Sequence, residues 1–280
     1  MLRHVILPVE PSGEWRPSVE WLRPLLRRQG TEVVLVGAVQ PPFGTGLTAS
    51  DVGDQIREEA AGYFRSIESA LRDEGFSVRH VVRAGAPDAV ITDEARARPE
   101  SMIAMPTHAR RGLARLALGS VAESVIRTAT VPVLLLRFPS DPALPPPRPV
   151  TFQKVLVALD GGELALGMAP WVAELARAFG SSVTLIHVLP ARPALAADLE
   201  TSDRVFAAGR ARFKSAGIEV ETLLTSGDPA EEVTEACRDR GFDLVACTTH
   251  GRTGVARWVL GSVAEEIVRA SGVPVLVARG

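Results

Sequence analysis

The second half of this chain repeats the first. Displacing the sequence by 142 positions sets residues 101–137 against 243–279, and 19 of those 37 positions are identical. Both segments contain Thr-His-x-Arg-x-Gly-x-Ala-Arg-x-x-Leu-Gly-Ser-Val-Ala-Glu, and both close on Val-Pro-Val-Leu, at 131–134 and 273–276. Upstream, Gly85-Ala86-Pro87 matches Gly227-Asp228-Pro229 at the same displacement, whereas residues 5–10 match 155–160 at a displacement of 150. The first copy is therefore eight residues longer, and the Pro/Gly-rich stretch 41–53 is where the insertion falls. A period this long is not a solenoid unit. It is a duplicated domain, and two domains suit 280 residues. The expected division is 1–138 and 151–280, with the Pro-rich stretch 139–150 as the linker; its Pro145-Pro146-Pro147 run is extended and stiff.

Each copy alternates short apolar runs with helical patterns. In the second copy the runs are 154–159, 182–189, 218–225, 243–248 and 274–279, separated by helix-like segments near 163–179, 195–216, 229–240 and 262–270. The first copy follows the same plan, with strands near 4–9, 31–39, 77–83, 101–106 and 132–137. Strand alternating with helix implies a parallel sheet, and near-continuous Val/Ile/Leu strands imply a sheet buried on both faces. The expected fold class is α/β: two tandem doubly wound domains, each a five-stranded parallel sheet with helices on both faces. Pro170 lies inside the first helical pattern of the second copy, so that helix is kinked or begins later than its pattern suggests.

Several function classes lose support. The net charge of −2 and the lack of any block of five like charges argue against nucleic acid as a partner. No apolar run approaches the length of a membrane span. Met1-Leu2-Arg3-His4-Val5 runs straight into a strand pattern without the regions of a signal peptide, so a cytoplasmic location is expected. Cys237 and Cys247 fit neither a disulfide framework nor a metal spacing and read as small buried hydrophobes. Lys154 and Lys214 are the only lysines, and neither a G-x-x-x-x-G-K-[ST] nor a G-x-G-x-x-G stretch occurs, so a Walker-type NTPase and the usual dinucleotide folds lose support. There is no nucleophile elbow and no His-Glu-x-x-His.

Ligands of open parallel sheets sit beyond the carboxyl ends of the strands. Two such ends in the second copy carry useful groups: Asp160-Gly161-Gly162, and Thr248 through Gly254, which leads to Gly261-Ser262-Val263 at the next helix. Glycine at 251 and 261 would allow close backbone approach and positive φ. A helix starting at Ser262 would turn free N–H groups toward an anion, and a carboxylate at Asp160 would accept ribose hydroxyls or help hold a divalent metal. A structural reading stands beside this one. Ser262-x-x-Glu265 and Ser120-x-x-Glu123 both fit capping boxes, which need no ligand. Arg252 and Arg110 can be solvated, and His250 and His108 can be packing or capping residues.

The combined pattern Thr-Thr-His-Gly-Arg-Thr-Gly … Leu-Gly-Ser-Val-Ala-Glu … Val-Pro-Val-Leu-Val resembles the universal stress protein family, whose phosphate motif is G-x-x-G, nine residues, then G and S or T. Here it takes the form Thr248-x-x-Gly251, nine residues, Gly261-Ser262, and the likeness runs through the whole chain twice. The resemblance implies five-stranded parallel domains that pair through their last strands, and ATP, with or without Mg²⁺, over the first and fourth strand ends. Carried over by position, Ala158, Leu159 and Asp160 would meet adenine and ribose, and Val188 adenine. Cys247 and Thr248 would line the adenine–ribose side, and Gly251, Arg252, Gly261, Ser262 and Val263 would hold phosphates. The first copy departs further. Glu10-Pro11 stands for Asp160, Pro106 for Thr248 and Ala109 for Gly251, while Gly119, Ser120 and Val121 survive. Pro106 removes an N–H and Ala109 adds a Cβ, so a weak or empty first site is expected.

Three functions compete: an adenine-nucleotide-binding regulatory protein of the stress response, acting on a partner protein or a further copy of itself; a slow ATPase or adenylating enzyme; and a nucleotide-free interaction module. The enzyme reading is the thinnest. Asp160-Gly161-Gly162-Glu163 is not the S-G-G-x-D-S of the related pyrophosphatases, and no catalytic residue stands out.

Overall fold

The computed structural model describes residues 2–11, 14–40, 54–107, 118–137, 149–249 and 260–279. It divides into two compact units. One is built from the first repeat up to Val133, and the other joins Leu134–Arg137 to Val150–Gly280.

In the first unit, β1 (His4–Pro8), α1 (Arg16–Leu26), β2 (Glu32–Val39), α2 (Asp54–Asp73), β3 (Val78–Ala84), α3 (Pro87–Arg96), β4 (Ser101–Pro106) and α4 (Ser120–Thr128) follow in order. The sheet order is β3-β2-β1-β4, with parallel pairs β1/β2, β1/β4 and β2/β3. β3 is its outer strand. Arg79 and Arg83 on β3 reach the carboxylate of Glu94 on α3 at 3.3 and 2.8 Å, and Arg98 joins them at 2.5 Å. Glu94 is only 1% exposed, so these guanidiniums are what make its burial tolerable. On the sheet's face, Phe64 of α2 lies directly over Gly37 of β2. A Cβ at position 37 would come within 2.5 Å of the ring, so that strand position must be glycine for the helix to seat.

The second unit contains β5 (Val133–Leu136) from Leu134 onward, then β6 (Lys154–Ala158), a 3-10 segment (Glu163–Met168), α5 (Ala169–Phe179), β7 (Ser182–Leu189), α6 (Ala196–Ser215), β8 (Val220–Ser226), α7 (Pro229–Arg240), β9 (Leu244–Thr248), α8 (Ser262–Ala270) and β10 (Val275–Ala278). Its order is β5-β10-β9-β6-β7-β8, with β6, β7, β8, β9 and β10 paired in parallel. Strand order reverses at β6, which has β9 on one side and β7 on the other, and this opens a crevice at their carboxyl ends.

Pro170 settles the first helix of this repeat. It occupies the first turn of α5, so the α-helix begins at Ala169 and a 3-10 segment fills the start of the expected pattern. α5 and α7 stop at Gly180 and Gly241, each left-handed with φ of 68°, a conformation glycine reaches without a Cβ clash. The other strands and helices fall within two residues of their expected limits. The insertion stretch 41–53 and the linker stretch 139–148 lie outside the described residues.

Candidate functional site

A cavity of about 690 Å³ lies over the carboxyl ends of β6, β7 and β9, within the second unit. Nine of the eleven residues expected there line it: Ala158, Leu159, Asp160, Val188, Cys247, Thr248, Gly261, Ser262 and Val263. Gly251 and Arg252 lie outside the described residues, as do His250, His108, Arg110 and Ala109.

Asp160 follows the last residue of β6. Its Oδ1 accepts a hydrogen bond from the Gly162 backbone N–H at 2.9 Å, which fixes the carboxylate. Its Oδ2 is buried and has no hydrogen-bond partner. A buried carboxylate oxygen without a donor is costly, so this atom is set to receive one from a bound molecule.

The opposite wall is the start of α8. Gly261 is the residue before the helix, with φ −60° and ψ 148°, and among the described residues no side chain caps its first turn. This corrects two expectations. Ser262 is the first helical residue and not the cap, so Ser262-x-x-Glu265 is not a capping box. Gly261 also does not use positive φ. Its requirement is space, because an added Cβ would sit 3.1 Å from the Thr249 carbonyl oxygen, the oxygen that accepts the Gly261 N–H at 2.8 Å. The uncapped N–H groups of α8 therefore face the cavity with the helix dipole behind them.

Ser120 is corrected in the same way. Gly119 precedes α4 with φ −63° and no side-chain cap, and its N–H bonds Thr107 at 2.9 Å as Gly261 bonds Thr249. Val121 is half-buried and Glu10 exposed.

Residues the sequence did not nominate complete the second-unit cavity. His187 is buried, and its Nδ1–H donates to the Leu159 carbonyl at 2.7 Å, stiffening the end of β6. From α6, Asp198 and Thr201 line the rim. Asp198 accepts from Arg192 at 2.7 and 3.1 Å and from the Leu195 N–H at 2.8 Å, so its charge is already matched and its carboxyl is held below the usual carboxylate range. No sequence signal singled these out, because they reach the crevice through the crossing of α6 over β7.

Backbone register adds one more feature. The Ile186 carbonyl accepts from Leu159 N–H on the β6 side, and the Leu189 carbonyl accepts from Gly227 N–H on the β8 side. Alternation along the strand turns the N–H and C=O of Val188 toward β6, at a level where β6 has ended.

The two cysteines are free and buried, and burial pushes each thiol up to about 12. At pH 8 a thiol of this kind stays protonated and unreactive. Iodoacetamide should therefore leave Cys237 and Cys247 unmodified in the folded chain and label both in denaturant, as read by intact mass. Labelling of Cys247 at native pH 8 would show that the cavity floor opens.

The sequence model of the universal stress protein family matches residues 1–137 and again 151–279. The chain belongs to the universal stress protein family. Among curated members, Rv2005c of Mycobacterium tuberculosis is 28% identical over 252 residues, spanning 85% of this chain and 80% of that one. MJ0531 of Methanocaldococcus jannaschii is 28% identical over 140 residues, or 46% of this chain and 82% of its own. A solved universal stress protein from Archaeoglobus fulgidus shares the fold, with a TM-score of 0.75 at 22% identity, covering 100% of this chain and 99% of that one. Universal stress proteins thus match this chain as two repeats in succession. Among the described residues, no helix is long and apolar enough to cross a membrane.

Proposed function

We propose that the second repeat binds an adenine nucleotide, ATP foremost, and that occupancy regulates the chain's dealings with a protein partner or a further copy of itself in the cytoplasmic stress response. The observation that carries this reading is the meeting, in one cavity, of the unpartnered Asp160 Oδ2 and the uncapped start of α8. A polyphosphate suits the helix end, where backbone N–H groups and dipole act together. A ribose hydroxyl supplies the donor that Asp160 lacks. The Val188 N–H and C=O present a donor beside an acceptor, the complement of adenine's N1 and exocyclic amine and the reverse of what guanine offers.

Where Mg²⁺ accompanies the nucleotide, Asp160 is the cavity carboxylate open to it, since Asp198 is held by Arg192. One carboxylate plus phosphate oxygens and water is a usual environment for that ion. The first repeat keeps the Gly119–Ser120 helix start but has Glu10 and Pro106 where the second has Asp160 and Thr248, so the nucleotide is assigned to the second.

Calorimetry of the full chain with ATP and Mg²⁺ should give about one site per chain. Asp160→Asn keeps an Oδ1 for Gly162 but replaces the accepting Oδ2, and it should weaken binding by about 1–3 kcal/mol. No heat and no thermal shift at millimolar ATP would sink the reading and promote the nucleotide-free module.

A further inference from the structure

A second hollow of about 330 Å³ opens beside the cavity and shares Leu159 and Thr201 with it. One side is the Gly161-Gly162 turn that leaves β6 just past Asp160, and the other is α6 at Thr201, Arg204 and Val205. The two glycines send no side chain into it. Gly161 holds φ of 87°, so a larger residue there would be strained as well as obstructive.

Among the described residues, one charged group lines this hollow. Arg204 is exposed, and its Nη2 donates to Thr201 Oγ1 at 3.2 Å while its Nε donates to the Glu200 carbonyl at 3.4 Å. Both acceptors are neutral, and among the described residues no carboxylate lies within salt-bridge distance of this guanidinium. Arg192, which precedes α6, is by contrast consumed by Asp198.

We propose that the hollow receives a second phosphate carried on the ribose hydroxyl edge of the bound nucleotide, with Arg204 as its partner. The preferred ligands are then adenosine bisphosphates substituted at 5′ and at 2′ or 3′. This inference rests on the nucleotide reading above. With the base at Val188, the 5′-phosphate at α8 and a ribose hydroxyl at Asp160, a substituent on the neighbouring hydroxyl leaves toward Gly161-Gly162. A planar guanidinium with no acid partner matches phosphate geometry better than an ammonium would.

Calorimetry of the full chain at fixed ionic strength, with AMP, adenosine 3′,5′-bisphosphate and adenosine 2′,5′-bisphosphate, tests this. At least one bisphosphate should bind the wild type roughly tenfold tighter than AMP. Arg204→Gln should erase that gain while leaving AMP affinity unchanged. Equal affinities for all three ligands, or a gain that survives Arg204→Gln, overturns the inference while the nucleotide reading stands. Failure of AMP and ATP to bind at all overturns both.

Discussion

Gly261→Val should lower the affinity of the full chain for ATP by at least about a hundredfold, or about 2.8 kcal/mol at 1.4 kcal/mol per tenfold. The backbone at 261, with φ −60° and ψ 148°, is one that valine adopts readily, so the cost is not conformational. It is steric. The new Cβ meets the Thr249 carbonyl oxygen at 3.1 Å, and that atom belongs to a backbone that cannot swing aside as a side chain can. The branched methyls then have to occupy cavity space in front of the N–H groups of Ser262 and Val263. Calorimetry measures the loss, and circular dichroism should show the helices intact. Gly261→Ala, with the same Cβ and no branches, should fall between. Wild-type affinity in Gly261→Val would place the phosphates elsewhere.

The largest stability effect is expected in the first unit. Phe64 is 0% exposed, stacks edge-on to Tyr63 at 5.9 Å and lies 6.4 Å from the His80 ring. Phe64→Ala should destabilise that unit by about 3–5 kcal/mol, the range for emptying an aromatic site in a core. Urea unfolding of the full chain should show one transition shifting to lower denaturant. Gly37→Ala is the internal control. It should be harmful when the Phe64 ring is present and nearly harmless in Phe64→Ala, a coupling that only direct contact produces. If the two substitutions add independently, the ring does not seat on Gly37.

Gly37 also shows what the sequence could and could not convey. The alternation of apolar runs and helical patterns gave away the strands, because burial on both faces leaves a continuous Val/Ile/Leu signature. It could not announce that one glycine inside β2 exists for a ring twenty-seven residues further on. The site divides in the same way. Gly261 and Ser262 were legible because duplication and motif spacing marked them, and Asp160 because it ends a strand pattern. His187 and Asp198 were not, since they reach the crevice only through how β7 and α6 are stacked around β6. The Ser-x-x-Glu pattern misled for a local reason: the chain enters α8 one residue earlier than a capping box requires, with glycine in the capping position. Positive φ at Gly261 was a fair inference from residue type, but the structure uses the missing Cβ instead.

The outer strand of the first unit has a bearing on how concentrated solutions of this protein behave. An unpaired β edge is a template on which a stray strand can dock and from which assemblies can grow. On β3 such a newcomer would lie alongside Arg79 and Arg83, two cations whose shared acid, Glu94, is already sequestered beneath them. Docking would strip water from both guanidiniums with no fresh anion to replace it. The same three-way charge arrangement that makes a buried glutamate tolerable thus serves as a colloidal guard, turning away recruits at the edge where the sheet would otherwise continue.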